Sequence, residues 1–318
     1  MSIWAARMPG MPTDPPLPPG FSLRAAAPGD EAAVAAIGIA QDLDDLGQAD
    51  YSEDEVRSEW SAPGFDPTRD AWLVTAGDGT PVAYASVEGE AARVFMEPRF
   101  KGQGIGAHLA ARLEAHARER GAARVMQQVF GTNDQARALL GALGYENDQH
   151  YWRMRIDVGD GAAPAEPAWP EGLTALRFQR PRDEVGAHRL IDSAFMVGPG
   201  NVPQTLAEWR ASWGRPGRVD PDLTTAVFAK GGELVGIATC AVQEEGHAYL
   251  AQLAVDEAVR GRGLGRALLL ETFRLARAAE VPAVALDVNA ANAGATRLYE
   301  SAGMHAEWHT DRWVKQLA

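Results

Sequence analysis

One glycine-rich turn occurs twice in this 318-residue chain, and the same second pattern follows it each time. The first copy reads Lys101-Gly102-Gln103-Gly104-Ile105-Gly106, then Asn133 and a run ending Leu143-Gly144-Tyr145. The second reads Arg260-Gly261-Arg262-Gly263-Leu264-Gly265, then Asn292 and a run ending Ala302-Gly303-Met304. Gly104 and Gly263, Asn133 and Asn292, and Gly144 and Gly303 are each 159 residues apart, half the chain. A constant offset across two motifs marks a duplicated domain. The chain is therefore restricted to two copies of one fold, and a hydrophobic content of 46% supplies two cores.

The halves read in the same order. Residues 1–20, rich in proline, read as a disordered leader, and residues 158–172, dense in Ala, Pro, Gly and acids, as the linker. That leaves domains at 21–157 and 173–318. Each opens with a short strand (21–25; 173–178) and two helical stretches (29–41 and 52–60; 183–194 and 204–213). Paired strands follow around Gly77-Asp78-Gly79 and Gly231-Gly232. A further strand runs into each glycine turn. Beyond it, Ile105, Leu109, Leu113 and Ala117, and Leu264, Leu268, Thr272 and Leu275, mark one face of a helix. A strand, a second helix and a closing strand complete each copy.

Composition excludes several classes. The single cysteine, Cys240, rules out an internal disulfide framework, and its strand-like flanks predict a buried, inert thiol. No apolar run has the length of a signal peptide or a membrane span, so a cytoplasmic protein is expected, with no membrane partner. A formal net charge of −13 argues against nucleic acid. No His/Cys spacing suggests a metal, and no Ser or Cys sits in a nucleophile elbow.

A Gly-x-Gly-x-Gly turn between a strand and a helix presents unpaired amides at a positive helix end. That is an anion site, most naturally for a phosphate or pyrophosphate. Arg260, Arg262 and Arg266 add charge to the second turn. A dinucleotide fold would need its third small residue one position later and an acid about twenty residues on. Arg266 fails the first requirement in the second copy, and the first copy lacks the acid. The Gly-Lys-Ser/Thr of a phosphate-cradling ATPase loop is absent.

The pattern resembles the GNAT superfamily of acyl-CoA-dependent N-acyltransferases. Arg260, Gly263 and Gly265 meet its Arg/Gln-x-x-Gly-x-Gly/Ala signature, and Leu253-Ala254-Val255-Asp256 is similar to its fourth strand. Asn292-x-x-Ala295-x-x-Leu298-Tyr299-Glu300-x-x-Gly303-Met304 is similar to its second CoA-side motif. The resemblance implies an α/β (α+β) fold: two tandem domains, each a mixed, mostly antiparallel central sheet flanked by helices. The implied donor is acetyl-CoA. The amides of Gly261, Arg262, Gly263, Leu264, Gly265 and Arg266 would hold its pyrophosphate. Leu253, Ala254 and Val255 would pair with pantetheine and polarise the thioester. Asn292 would contact the pantetheine arm or cap its helix. Lys101, Gly102, Gln103, Gly104, Ile105 and Gly106 would do for the first copy what the second turn does for its own.

Transfer needs a neutral amine to attack the thioester and a proton for the departing thiolate. By resemblance Tyr299 supplies that proton. Asp287, on the preceding strand, would deprotonate the amine or anchor it, with His247, Glu244 and Glu245 as rivals. In the first copy Tyr299 becomes Leu140, Asp287 becomes Gln128 and Arg260 becomes Lys101, so catalysis is expected only in the second. The acceptor is expected to be a small-molecule primary amine. The mycothiol synthases, tandem members similar in length and in a weakened first copy, offer one acceptor class, and antibiotics or aminoglycosides another. A CoA-binding module without turnover is the reading of a different kind. Phe195, Met196, Trp209 and Trp213, with Gly198-Pro199-Gly200, line either the core or the pocket. The acidic run Asp42, Asp44, Asp45, Asp50, Glu53, Asp54 and Glu55 reads as a solvated face or an acceptor side. Two domains in one chain could replace a dimer, so a monomer or weak homodimer is expected.

Overall fold

The computed structural model describes residues 15–159, 163–195, 203–214, 219–243 and 246–317. The first half of the chain carries β1 (Phe21–Ala25), α1 (Glu31–Leu46), α2 (Glu53–Trp60), α3 (Pro67–Asp70), β2 (Ala71–Ala76) and β3 (Pro81–Glu88). β4 (Ala91–Met96), α4 (Ile105–Glu119), β5 (Arg124–Phe130), α5 (Asp134–Ala142) and β6 (Glu146–Asp157) follow. The second half repeats the order with β7 (Leu173–Arg177), α6 (Glu184–Phe195), α7 (Leu206–Trp213), β8 (Thr225–Ala229) and β9 (Leu234–Val242). It ends with β10 (Ala248–Val255), α8 (Leu264–Ala278), β11 (Ala283–Asn289), α9 (Ala293–Ser301) and β12 (His305–Gln316). None of the described helices is long and apolar enough to cross a membrane.

The chain forms two compact units, and neither is a contiguous half. The first holds the described residues up to Glu53, Gly64–Asp148 and the chain from Arg312 on; the second holds Asp54–Pro63 and Gln149–Asp311. Apart from Asp54–Pro63, the cause is an exchange of final strands. In the second unit residues 151–157 of β6 pair antiparallel along the whole of β11, with Asp287 opposite Arg153. In the first unit β12 follows β5 in the strand order. The registers match. Val158 N–H donates to Pro282 C=O at 2.7 Å in the second unit, and Leu317 N–H donates to Ala123 C=O at 2.8 Å in the first. Both donors and both acceptors are 159 residues apart. A mixed sheet, mostly antiparallel, is thus completed in each unit by a strand from the other half of the sequence.

In the second unit α8 lays Leu264, Leu268, Leu269 and Phe273 on one sheet face, against Val227, Cys240, Leu250, Val284, Leu286 and Val288. The opposite face carries α6 and α7, whose Ala187, Leu190, Ile191, Trp209 and Trp213 cluster with Ala226, Ile237 and Ala254. Side chains alternate along a strand, so Ala283, Ala285 and Asp287 of β11 lie on this second face. Cys240 is fully buried, and burial pushes its thiol up to about 12, which fits an inert core residue. The first unit has the same core under α4, built on Ile105, Leu109 and Leu113.

The ends of the expected leader and linker are structured. Leu17 packs on the first core and Trp169 on the second. Each precedes an identical turn: Phe21 N–H donates to Pro18 C=O and Leu173 N–H to Pro170 C=O. Duplication therefore extends upstream of the first strand. Residues 1–14 of the leader lie outside the described residues.

Candidate active site

In the second unit β10 and β11 pair in parallel only at Ala248 with Val284 and Tyr249 with Ala285. A bulge between Leu250 and Gln252 then bends β10, which stays on β9 as far as Val255. β10 and β11 therefore part toward the glycine turn and leave a wedge with unpaired backbone on β10. No side chain takes the Val255 N–H among the described residues.

At the wide end of the wedge the chain turns into α8. Gly261 and Gly263 have φ of 74° and 86°, a left-handed conformation that side chains rarely adopt, and nothing lies within 4 Å of where their Cβ atoms would be. Gly263 is the N-cap of α8, with no side chain bonded to the helix end. The amides are left for an anion. Gly265 serves packing instead: a Cβ there would meet Leu298 Cδ2 at 3.2 Å. Arg260 Nε donates to Val255 C=O at 3.1 Å and Arg262 to Glu171 C=O at 2.8 Å, which fixes both side chains at the rim. Asn292 caps α9, its Oδ1 accepting from Ala295 N–H at 3.1 Å. Its Nδ2 has no partner among the described residues.

Tyr299, on α9, packs against the α8-side core. Burial raises the phenol above its ordinary value, and the hydroxyl makes no hydrogen bond among the described residues. It stays protonated at neutral pH and free to donate. Asp287 lies on the opposite sheet face. Its Oδ1 accepts from Arg153 Nε at 2.6 Å and its Oδ2 from Tyr249 OH at 3.0 Å. Sequence reasoning missed Arg153 and Tyr249, since nothing local in the sequence ties β6 to β11. His247 is buried, and desolvation, then the Arg153 and Arg155 charges, lower it to about 4 despite Asp287. Its ring is neutral at physiological pH. Glu244, Glu245, Met196 and Gly198-Pro199-Gly200 lie outside the described residues. Trp209 and Trp213 are core, with ring centroids 4.0 Å apart. Phe195 is exposed. Among the described residues no group of His, Cys, Asp or Glu could hold a metal ion.

The first unit has the same turn, with Gly102 and Gly104 at φ of 78° and 90°. However, its binding groups are already engaged by one end of α1. Gln41 Oε1 accepts from Met96 N–H at 2.9 Å, and Met96 is the counterpart of Val255. Lys101 Nζ, the counterpart of Arg260, donates to Asp44 at 2.7 Å and to Asp45 at 2.8 Å. Asn133 caps α5 as Asn292 caps α9, and its Nδ2 donates to the other oxygen of Asp45 at 2.8 Å. The acidic run is therefore not a solvated face at Asp42 and Asp45, which are buried. Leu140 is buried and Gln128 exposed, so neither replaces the chemistry of Tyr299 and Asp287.

The sequence pattern of the Acetyltransferase (GNAT) family matches residues 38–145 and again 190–304. Among similar proteins, the mycothiol acetyltransferase of Thermomonospora curvata is 31% identical over 237 residues, covering 73% of this chain and 77% of that one. The mycothiol acetyltransferase of Acidothermus cellulolyticus is 31% identical over 245 residues, 71% of each. A GCN5-related N-acetyltransferase from Sphaerobacter thermophilus superposes with a TM-score of 0.81 at 31% identity, covering 95% of this chain and 97% of that one. A tandem GNAT protein from the clavulanic acid biosynthesis pathway shares the fold, with a TM-score of 0.72 at 18% identity over 94% and 99% of the two chains. The duplicated turn, the wedge beside it and these likenesses agree: the chain belongs to the GNAT family of acyl-CoA-dependent acetyltransferases, as a tandem member.

Proposed function

We propose that the second unit transfers an acetyl group from acetyl-CoA to the primary amine of a small molecule, while the first unit binds no acyl-CoA. One contrast carries this reading. Met96 N–H, Lys101 and Asn133 of the first unit are bonded to Gln41, Asp44 and Asp45. Their counterparts Val255 N–H and Asn292 Nδ2 in the second unit are open among the described residues. Buried Asp45 sits where a pyrophosphate would need positive potential, so the first groove repels the ligand that the second attracts.

In the second unit the amides from Gly261 to Arg266 hold the pyrophosphate. The pantetheine arm runs along Leu253, Ala254 and Val255 into the wedge, beside Asn292. The neutral amine attacks the thioester carbonyl carbon, and a backbone N–H of β10 stabilises the oxyanion. The tetrahedral adduct collapses with cleavage of the C–S bond. Tyr299 OH gives its proton to the departing sulfur, and the amine loses a proton to solvent or to Asp287. The phenol on one sheet face and the carboxylate on the other fit this division: thiol on one side, amine on the other. The named relatives point to a small acceptor, and the mycothiol acetyltransferases make amines of that class the first to try.

Thiol release with acetyl-CoA and glucosamine, L-cysteinamide, tyramine or spermidine tests the reading. Wild type should turn over at least one amine. Tyr299→Phe should lose about 10²-fold or more of kcat, and Leu140→Tyr should gain nothing. CoA binding without turnover of any amine would make the chain a binding module instead.

A further inference from the structure

We propose that Arg153, carried by the strand that the first half of the sequence lends to the second unit, is a positioning residue for acetyl transfer: it sets the carboxylate of Asp287 to receive the amino group of the acceptor. The proposal rests on transfer taking place in the second unit.

Arg153 and Asp287 face each other across the β6–β11 ladder. Arg153 Nε lies 2.6 Å from Asp287 Oδ1, and a second guanidinium nitrogen lies 3.3 Å from Oδ2. The guanidinium is held between two rings, its carbon 5.4 Å from the centroid of Tyr249 and 4.9 Å from that of Trp308. Such stacking confines a planar cation. Tyr249 OH also reaches Asp287, at 3.0 Å. The exposures differ in a telling way: the Arg153 side chain is 11% exposed and that of Asp287 38%. The cation is walled in while the carboxylate still faces outward. A ring-clamped arginine beside a half-open carboxylate fixes the direction in which that carboxylate faces. Asp287 keeps lone pairs for one more donor, and an N–H of the attacking amine is a donor that a fixed carboxylate orients.

The duplicated positions give an internal control. Arg312 is the residue 159 positions after Arg153, and its unit has Gln128 where the other has Asp287. Arg312 forks onto Asp148 instead, at 2.9 and 2.7 Å. Both units keep the arginine, but only the second aims it at a carboxylate on the substrate face.

The test is steady-state thiol release by the full chain, using whichever amine of the panel above turns over fastest. Arg153→Gln and Asp287→Asn should each raise the amine KM about tenfold, with the acetyl-CoA KM unchanged, and the double variant should be no worse than either single one. Arg153→Lys should recover part of the loss, and Arg312→Gln should leave the amine KM as it was. A crystal structure of Arg153→Gln should show the Asp287 carboxylate off the Tyr249 hydroxyl on an unchanged backbone. If Arg153→Gln leaves the amine KM unchanged while Tyr299→Phe still cripples turnover, the positioning role is overturned and the transfer reading stands. Additive effects in the double variant, or an Asp287 carboxylate that keeps its place without Arg153, overturn it equally. Failure of wild type to acetylate any amine refutes the transfer reading itself.

Discussion

Asp45 bridges Lys101 and Asn133, one carboxylate oxygen on each. Those two residues stand where the second unit has Arg260 and Asn292, so in the first unit alone, among the described residues, a carboxylate of the chain takes up the groups proposed to hold the ligand. Isothermal titration with CoA should therefore give one equivalent per chain. Gly263→Val, which places a β-branched side chain at a φ of 86°, should abolish that equivalent and the activity with it. Gly104→Ala should leave the stoichiometry at one. Retention of a full equivalent by Gly263→Val would place the ligand in the first unit.

Asp42 gives a stability prediction with a defined sign. Its carboxyl is almost fully buried and accepts from Asp50 N–H at 2.9 Å. Burial first, with the Asp50 and Asp45 charges adding, raises it from 3.8 to about 7, against the Asp50 amide bond. A raised folded value means that the stabilisation is complete below the unfolded value and disappears as pH rises through about 7. Asp42→Asn keeps an acceptor for the amide and has no charge to bury. It should be more stable than wild type at pH 8, by about 1–2 kcal/mol, and the gain should vanish near pH 4. Thermal melts at the two pH values measure this.

His247 behaves in the opposite sense. Burial and the neighbouring arginines lower it from 6.5 to about 4, so it contributes stability above the unfolded value that is lost as pH falls toward 4. His247→Gln should remove this part of the acid sensitivity between pH 6.5 and 4 in thermal melts. It should also leave the acid limb of the rate profile in place, because a ring lowered that far does not titrate where the amine does. Disappearance of that limb in His247→Gln would make His247 the base.

Tyr299 should set the alkaline limit. Burial raises its phenol above 10, so the acid form persists past the ordinary tyrosine value. With an amine of low pKa as acceptor, turnover should hold beyond pH 9 in wild type, and Tyr299→Phe should be low at every pH. An alkaline limb unchanged in Tyr299→Phe would assign the proton to another group.

The turn, the second motif and the order of elements were legible because each depends on local residues: glycines at positive φ, an asparagine cap, apolar spacing on α4 and α8. Strands β8 and β9 flank the Gly231-Gly232 turn expected to join them, since apolar and β-branched runs on either side of a glycine turn have few alternatives. The role of the acidic run was not legible. Its charges are plain in the sequence, but their targets, Lys101 and Asn133, lie 56 and 88 residues from Asp45. The exchange of β6 and β12 leaves no local trace either, because strand pairing is decided by contacts distant in sequence. One signal was available: Arg153 and Arg312 share the 159-residue offset, whereas Asp287 and Gln128 do not share their chemistry.

The exchanged strands also have a consequence for biosynthesis. The first unit is completed by residues from Arg312 on, which are made after those of the second unit. A nascent chain can bury the helices and most strands of that unit early, but the sheet keeps an open edge after β5 until β12 has been made. The unit whose strands begin first in the sequence is thus the later one to close its sheet.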